Sequence, residues 1–226
     1  MVKQDLIDRS PVRFFEQATN GGLQTGEMGI LTSKKGLGKT AVLVQIGLDM
    51  LLQNKQVVHV SFNQHTNAII TWYEDIFWEM SKKKNLANAE EVKNELISKR
   101  IILNFNQHAV SVAQIVQTLK ALLSGGIPTA CLIIDGFNFA EVNENDITIL
   151  KNYAAEAGFV IWATCNCESE DVCTVMNSAT EQKINTVVHL EQKNDSINMK
   201  VLKMHGKATD GINLKLDPKT LLMAEK

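Results

Sequence analysis

The chain has 226 residues, 45% of them hydrophobic, and 23 Lys and Arg against 25 Asp and Glu leave a formal net charge of −2. That length and apolar content suit one α/β domain, residues 1–226, with a sizeable core, and the balanced charge calls for neither nucleic acid nor an anionic membrane as partner. No apolar run approaches the ~20 residues of a membrane span, and the N-terminal Met-Val-Lys-Gln-Asp lacks the apolar stretch of a signal peptide, so a cytoplasmic protein is expected.

In chain order, Met28-Gly29-Ile30-Leu31-Thr32 reads as a short buried strand, and Ala41 to Leu52 as an apolar helix with Gln45 and Asp49 facing outward. Between them runs Ser33-Lys34-Lys35-Gly36-Leu37-Gly38-Lys39-Thr40. This is the phosphate-binding pattern GxxxxGK[ST] with Ser33 in the place of its first glycine, and it stands in the strand, loop, helix context that the pattern requires. Backbone N–H groups from Ser33 to Ala41 can point at phosphate oxygens, aided by the positive end of the helix dipole. Gly36 and Gly38 let the backbone approach closely. Lys39 would reach the terminal phosphates, and the Thr40 hydroxyl would ligate magnesium. The plainer alternative is a lysine-rich turn capping an ordinary helix.

Val57 to Phe62 is a second strand, Thr66 to Lys82 a helix and Asn88 to Lys99 a shorter, charged helix, followed by a strand at Ile101 to Phe105. In the first of these helices Ile69, Trp72, Tyr73, Ile76, Phe77 and Met80 form one apolar face, which marks core, and Trp78 falls beside it as a candidate contact for a partner protein. Ser111 to Leu123 is amphipathic and stops at Gly125-Gly126-Ile127-Pro128. Ala130-Cys131-Leu132-Ile133-Ile134-Asp135 is then an apolar strand ending in a carboxylate. A strand of this kind resembles Walker B, whose aspartate lies beside the magnesium. Taken alone, an aspartate closing a buried strand is common.

Ile147 to Ala157 reads as helix, Phe159 to Thr164 as strand and Val172 to Ala179 as a short helix. Thr186 to Glu191, Met199 to His205 and Ile212 to Leu216 then alternate as antiparallel strands around an Asn194-Asp195-Ser196 turn. The expected fold is α/β, a mostly parallel twisted sheet with helices on both faces and an antiparallel β extension at the C-terminal end. Cys131 reads as a small core residue, and Cys165, Cys167 and Cys173 match no metal spacing, so reduced structural thiols are expected. His59, His65 and His108 are scattered and read as structural. The acidic Glu168-Ser169-Glu170-Asp171 would repel a nucleic-acid phosphate rather than gather it.

These motifs in this order resemble the RecA-like P-loop ATPases, and within them the KaiC, RadA and DnaB branch. The resemblance spans nearly the whole chain. It rests on the glycine-rich lead-in Gly21-Gly22-Leu23-Gln24-Thr25-Gly26-Glu27, the loop, the strand Val57-Val58-His59-Val60-Ser61-Phe62, Asp135, and the late hairpin with Lys203-Met204-His205-Gly206. It implies ATP and magnesium as ligands, a homo-oligomer between dimer and hexamer, and trans contacts from Lys203 and His205 to a neighbour's nucleotide. The departures fall on the hydrolytic positions. Where the family places a water-activating glutamate this chain has Asn63, followed by Gln64, and an amide accepts no proton at neutral pH. The sensor position offers Cys165, or Asn166 if the register slips by one. His205 stands for an arginine without its bidentate fork. With binding residues retained and hydrolytic ones altered, the expectation is a nucleotide-responsive protein that hydrolyses slowly or not at all. Two alternatives stand beside it: an active ATPase completed by a neighbouring subunit, and a MinD- and ParA-like dimerising switch that uses Lys34 across the dimer.

Overall fold

The computed structural model describes residues 2–62, 64–82, 89–105, 111–209 and 211–224. Two short helices, α1 (Val2–Asp8) and α2 (Val12–Ala18), precede β1 (Met28–Ser33), α3 (Lys39–Leu52), β2 (Val57–Ser61), α4 (Thr66–Lys82), α5 (Ala89–Ile97) and β3 (Arg100–Asn104). The chain continues through α6 (Val112–Ser124), β4 (Cys131–Asp135), α7 (Glu144–Ala157), β5 (Val160–Asn166) and α8 (Ser178–Lys183), with single 3-10 turns at Phe139–Glu141 and Val172–Thr174. It ends in β6 (Thr186–Lys193), β7 (Ser196–Met204), β8 (Lys207–Ala208), β9 (Asn213–Leu216) and β10 (Met223–Ala224).

The architecture is α/β, with one mixed and mostly parallel sheet in the order β10-β9-β7-β6-β1-β5-β4-β2-β3 and β8 beside β7. The central strands β1, β4 and β5 are largely apolar on both faces because helices cover both. On β4, Cys131 and Ile133 enter the cluster under α1 to α5, while Leu132 and Ile134 enter the cluster under α6 and α7. Pairing with β1 is parallel for both β5 and β6, so the antiparallel part begins at β7. This corrects the reading of Thr186 to Glu191 as antiparallel: α8 carries the chain back across the sheet, so β6 enters in the direction of β1.

The two N-terminal helices are invisible in the periodicity, being seven residues each. Together with the C-terminal segment they explain a second correction. Gln45 and Asp49 do not face outward; their relative exposures are 0% and 1%. Arg13 of α2 covers and pairs with Asp49, and the C-terminal segment covers Gln45. α3 is therefore enclosed on all sides, as its nearly continuous apolar sequence requires. Trp78 is also less available than its position suggests. It packs edge-on against Phe77, and the Lys93 ammonium of α5 lies 5.3 Å from its ring centroid.

Close packing gives Gly47 a role. A Cβ there would lie 2.5 Å from the Tyr73 hydroxyl and 3.1 Å from Ile133 Cδ1. Gly→Ala inside a helix ordinarily stabilises by about 1 kcal/mol, but overpacking costs about 1–3 kcal/mol. Gly47→Ala should therefore fail to stabilise the chain and lower its stability by up to about 2 kcal/mol, read from the urea midpoint at unchanged m-value.

Behind Tyr73 lies His59, whose Nδ1 is 3.2 Å from the Tyr73 hydroxyl, with the Arg100 guanidinium 4.5 Å above the tyrosine ring. Burial first, and the Arg100 charge second, push His59 down to about 3. The unfolded ring titrates near ~6.5, so the native state gains its full advantage above that pH and loses it as the pH falls toward the folded value. Between pH 6.5 and 4.5 the loss is about 2–3 kcal/mol. Urea titrations at the two pH values should show it, and His59→Gln should remove that share of the slope.

Candidate functional site

All six parallel strands point their C-terminal ends at one side of the sheet, and a cleft of about 770 Å³ opens there. β1 stands at a topological switch point, because the chain leaves it through α3 toward β2 on one flank while β6 closes the other. Open α/β sheets bind ligands at such points. The Ser33–Thr40 loop follows β1 directly.

Gly36 and Gly38 take φ of +89° and +91°, a left-handed backbone that glycine adopts without strain. Gly38 is the N-cap of α3, and its carbonyl accepts from the Val42 N–H at 3.1 Å. Among the described residues, the N–H groups of Gly36 through Ala41 find no acceptor. A run of unpaired donors around left-handed residues, at the positive end of a fourteen-residue helix, is a concavity of the kind that suits an anion.

Lys39 is 9% exposed, and its ammonium is folded back onto the loop. It donates to the Ser33 carbonyl (3.0 Å), the Ser33 hydroxyl (2.9 Å) and the Lys34 carbonyl (3.0 Å). Burial lowers its pKa, and Asp135 is the largest opposing influence. Ser33, the departure from the glycine pattern, thus contributes two of the three acceptors that hold the lysine. Lys35 and Gly36 line the cleft, whereas the exposed Lys34 does not. Leu37 and Ala41 turn into the core cluster under α1 to α5.

Asp135 is 6% exposed, and both carboxylate oxygens are engaged. Thr40 Oγ1 donates to Oδ2 and Thr164 Oγ1 to Oδ1, each at 2.8 Å, while the Gly136 N–H donates to Thr164 Oγ1 at 2.7 Å. The Gln64 amide donates to Thr40 Oγ1 at 3.3 Å. The fold therefore brings Thr40 and Asp135 together from opposite sides of β5. Both are hard oxygen donors of the kind magnesium takes, and two protein ligands leave positions for phosphate oxygens and water. Among the described residues no group of three or more His, Cys, Asp and Glu could hold a metal on its own.

Thr164 was not among the residues expected at the site. It sits one residue past the Ile134–Ala163 pair of β4 and β5, so only strand adjacency reveals it. Cys165 and Asn166 both line the cleft, the first buried and the second exposed. Trp72 and Leu221 line it as well. Trp72 was expected in the core face of α4 and is only half-buried. Asn63 and His108 lie outside the described residues.

Lys203 and His205 sit elsewhere. Lys203 Nζ pairs with the Glu181 carboxylate at 2.8 Å, and His205 Nδ1 lies 2.9 Å from the carboxylate of Glu27, the residue before β1. That is the N-terminal end of β1, about 20 Å from the loop at ~3.3 Å per strand residue. Within one chain they do not meet the loop. The acidic stretch after β5 is partly neutralised, since Glu170 pairs with Lys200 at 2.5 Å and Asp171 caps the following 3-10 turn. The four cysteines are free thiols, of which only Cys173 is exposed. No helix among the described residues is long and apolar enough to cross a membrane. No protein-family model matches the chain, and no curated protein does.

Proposed function

We propose that this chain binds magnesium ATP at the Ser33–Thr40 loop and Asp135 as a RecA-like P-loop protein of the KaiC, RadA and DnaB kind. It hydrolyses the nucleotide slowly or not at all, and acts by nucleotide-dependent oligomerisation or signalling. The observation that carries this reading is the run of unpaired N–H groups from Gly36 to Ala41 beside Lys39. Triphosphate oxygens satisfy such donors, and Lys39 is near enough to exchange loop carbonyls for phosphate. Thr40 and Asp135 would hold the magnesium, which when bound neutralises charge on the β- and γ-phosphates.

Slow hydrolysis follows from what else lines the cleft. Among the described lining residues Asp135 is the sole carboxylate, and none is a histidine. Asp135 is already committed to two threonine hydroxyls. Burial pushes the Cys165 thiol up to about 12, so it is protonated at neutral pH and is no base. The reading as an ATPase completed by a neighbour requires Lys203 and His205 to leave Glu181 and Glu27. The reading as a Lys34-bridged dimer draws on the exposure of Lys34 outside the cleft.

The test is thermal unfolding of the native chain with and without magnesium ATP, with phosphate release followed on the same samples. Ligand at a hundred times its dissociation constant adds about 2.7 kcal/mol, which at this size raises the midpoint by about 5–11 °C. A rise without rapid release supports the proposal. An unmoved midpoint at saturating ATP overturns it, and a rise with fast release by the native chain transfers the case to the active ATPase.

A further inference from the structure

The C-terminal turn of the chain is tied to the loop helix in a way that neither core packing nor the nucleotide reading requires. Gln45 lies in the middle of the apolar α3 and is fully buried. Its amide donates to the Leu221 carbonyl at 2.8 Å and accepts from the Met223 N–H at 2.8 Å. The turn it grips closes on itself. Leu221 N–H donates to the Asp217 carbonyl (2.8 Å), Asp217 N–H to the Leu222 carbonyl (2.9 Å), and the Asp217 carboxylate accepts from Lys219 and Thr220 N–H, both at 2.9 Å. Where the turn closes, Leu221 is held at φ +55°. Leucine rarely adopts that backbone, and such a residue persists only where its surroundings over-determine it.

The strained residue lies at the loop. Leu221 lines the cleft, and its Cδ2 is 3.7 Å from the Cβ position of Gly38, with Leu216 Cδ1 at 3.4 Å. Gly38 is where the loop becomes α3. The turn thus touches the loop at its pivot glycine and the helix two turns further on, at Gln45.

We propose that residues 217–223 form a latch coupled to occupancy of the loop: docked, the turn completes the cleft wall, and a nucleotide bound there strengthens the docking. The inference rests on the nucleotide reading above. To bind phosphate, Lys39 must leave the Ser33 and Lys34 carbonyls, and the loop reseats around Gly36 and Gly38. A nucleotide that extends from Lys39 along the cleft also takes the exposed part of Leu221 out of water, which favours the docked turn. Coupling between two such events is reciprocal, so whatever factor the nucleotide adds to docking, loss of docking removes from nucleotide affinity.

The experiment is amide hydrogen exchange across residues 217–223 of the native chain, free, with magnesium ATP and with magnesium tripolyphosphate, with the unfolding midpoint measured on the same samples. ATP should slow exchange at Met223 about tenfold, and tripolyphosphate, which can fill the loop without reaching Leu221, should slow it less. Gln45→Leu, which cuts the clamp from the helix side, and Asp217→Ala, which opens the turn from the surface, should each weaken ATP binding by the same factor of about ten. If Gln45→Leu fails to fold, Asp217→Ala alone decides. A midpoint raised by ATP with unchanged exchange at Met223 overturns the latch and leaves the nucleotide reading intact. A midpoint that ATP does not move at all overturns both.

Discussion

Lys39→Ala should abolish the rise in unfolding midpoint expected with magnesium ATP, while leaving the unliganded chain about as stable as before. The two halves of this expectation have separate causes. In the free protein the ammonium is taken out of water to 9% exposure and compensated by two carbonyls and one hydroxyl. Burial dominates its environment, which is why its pKa falls despite Asp135. Removing the ammonium recovers its desolvation cost and leaves three acceptors, two of them on the fully buried Ser33, without that donor, and the two effects nearly offset. With ligand the same ammonium faces phosphate, where a charge-assisted contact is about twice as strong as a neutral one. The stabilisation of about 2.7 kcal/mol at a hundredfold excess over the dissociation constant, or about 5–11 °C, should therefore vanish in the variant at the same ATP concentration. Scanning calorimetry of both proteins with and without ligand checks it. A variant that keeps the full shift would show that ATP stabilises the chain from somewhere other than this loop.

Asn63→Glu is the change with the largest expected effect on turnover: phosphate release should rise by about 10²-fold or more, the usual contribution of a positioned general base. Among the described residues that line the cleft, each group that could serve as a base is otherwise engaged. Gln64 presents its amide N–H to Thr40 and is a donor there. Asp135 has each oxygen occupied by a threonine hydroxyl. Cys165 holds its proton. Nothing left can accept a proton from an attacking water, and Asn63 stands at the place where the resembling family has its glutamate. Single-turnover release by the native chain, Asn63→Glu and Asn63→Gln checks the prediction, with the midpoint shift confirming that all three bind ATP. A glutamate variant no faster than the native chain would mean that another group, in this subunit or a neighbour, already fills the role.

What could be read from the sequence follows short-range chemistry. The loop is a contiguous run, and its glycines, lysine and threonine act through their own backbone and one helix end, so spacing suffices to find them. Strands such as β4 are apolar from Cys131 through Ile134 because helices cover both faces of the sheet, and that too is written in the local pattern. The N-terminal helices leave no periodic signal because seven residues carry too little of it, so the burial of Asp49 under α2 is not legible, and neither is that of Gln45 under the distant C-terminal segment. α3 looked ordinary only while nothing was known to lie over it.

The sequence by itself therefore determined the α/β class, the glycine- and lysine-rich loop between β1 and α3, and the carboxylate that closes β4. The tertiary structure alone decided which distant groups meet that loop. Thr164 reaches Asp135 because β5 lies between β1 and β4. β6 runs parallel to β1 because a crossover through α8 returns it in the same direction. Leu221 stands at Gly38 because the last turn folds back over the helix that Gly38 begins. Each is a contact between residues far apart in the chain, set by strand order and helix packing, and strand order is a choice among pairings that are locally equivalent.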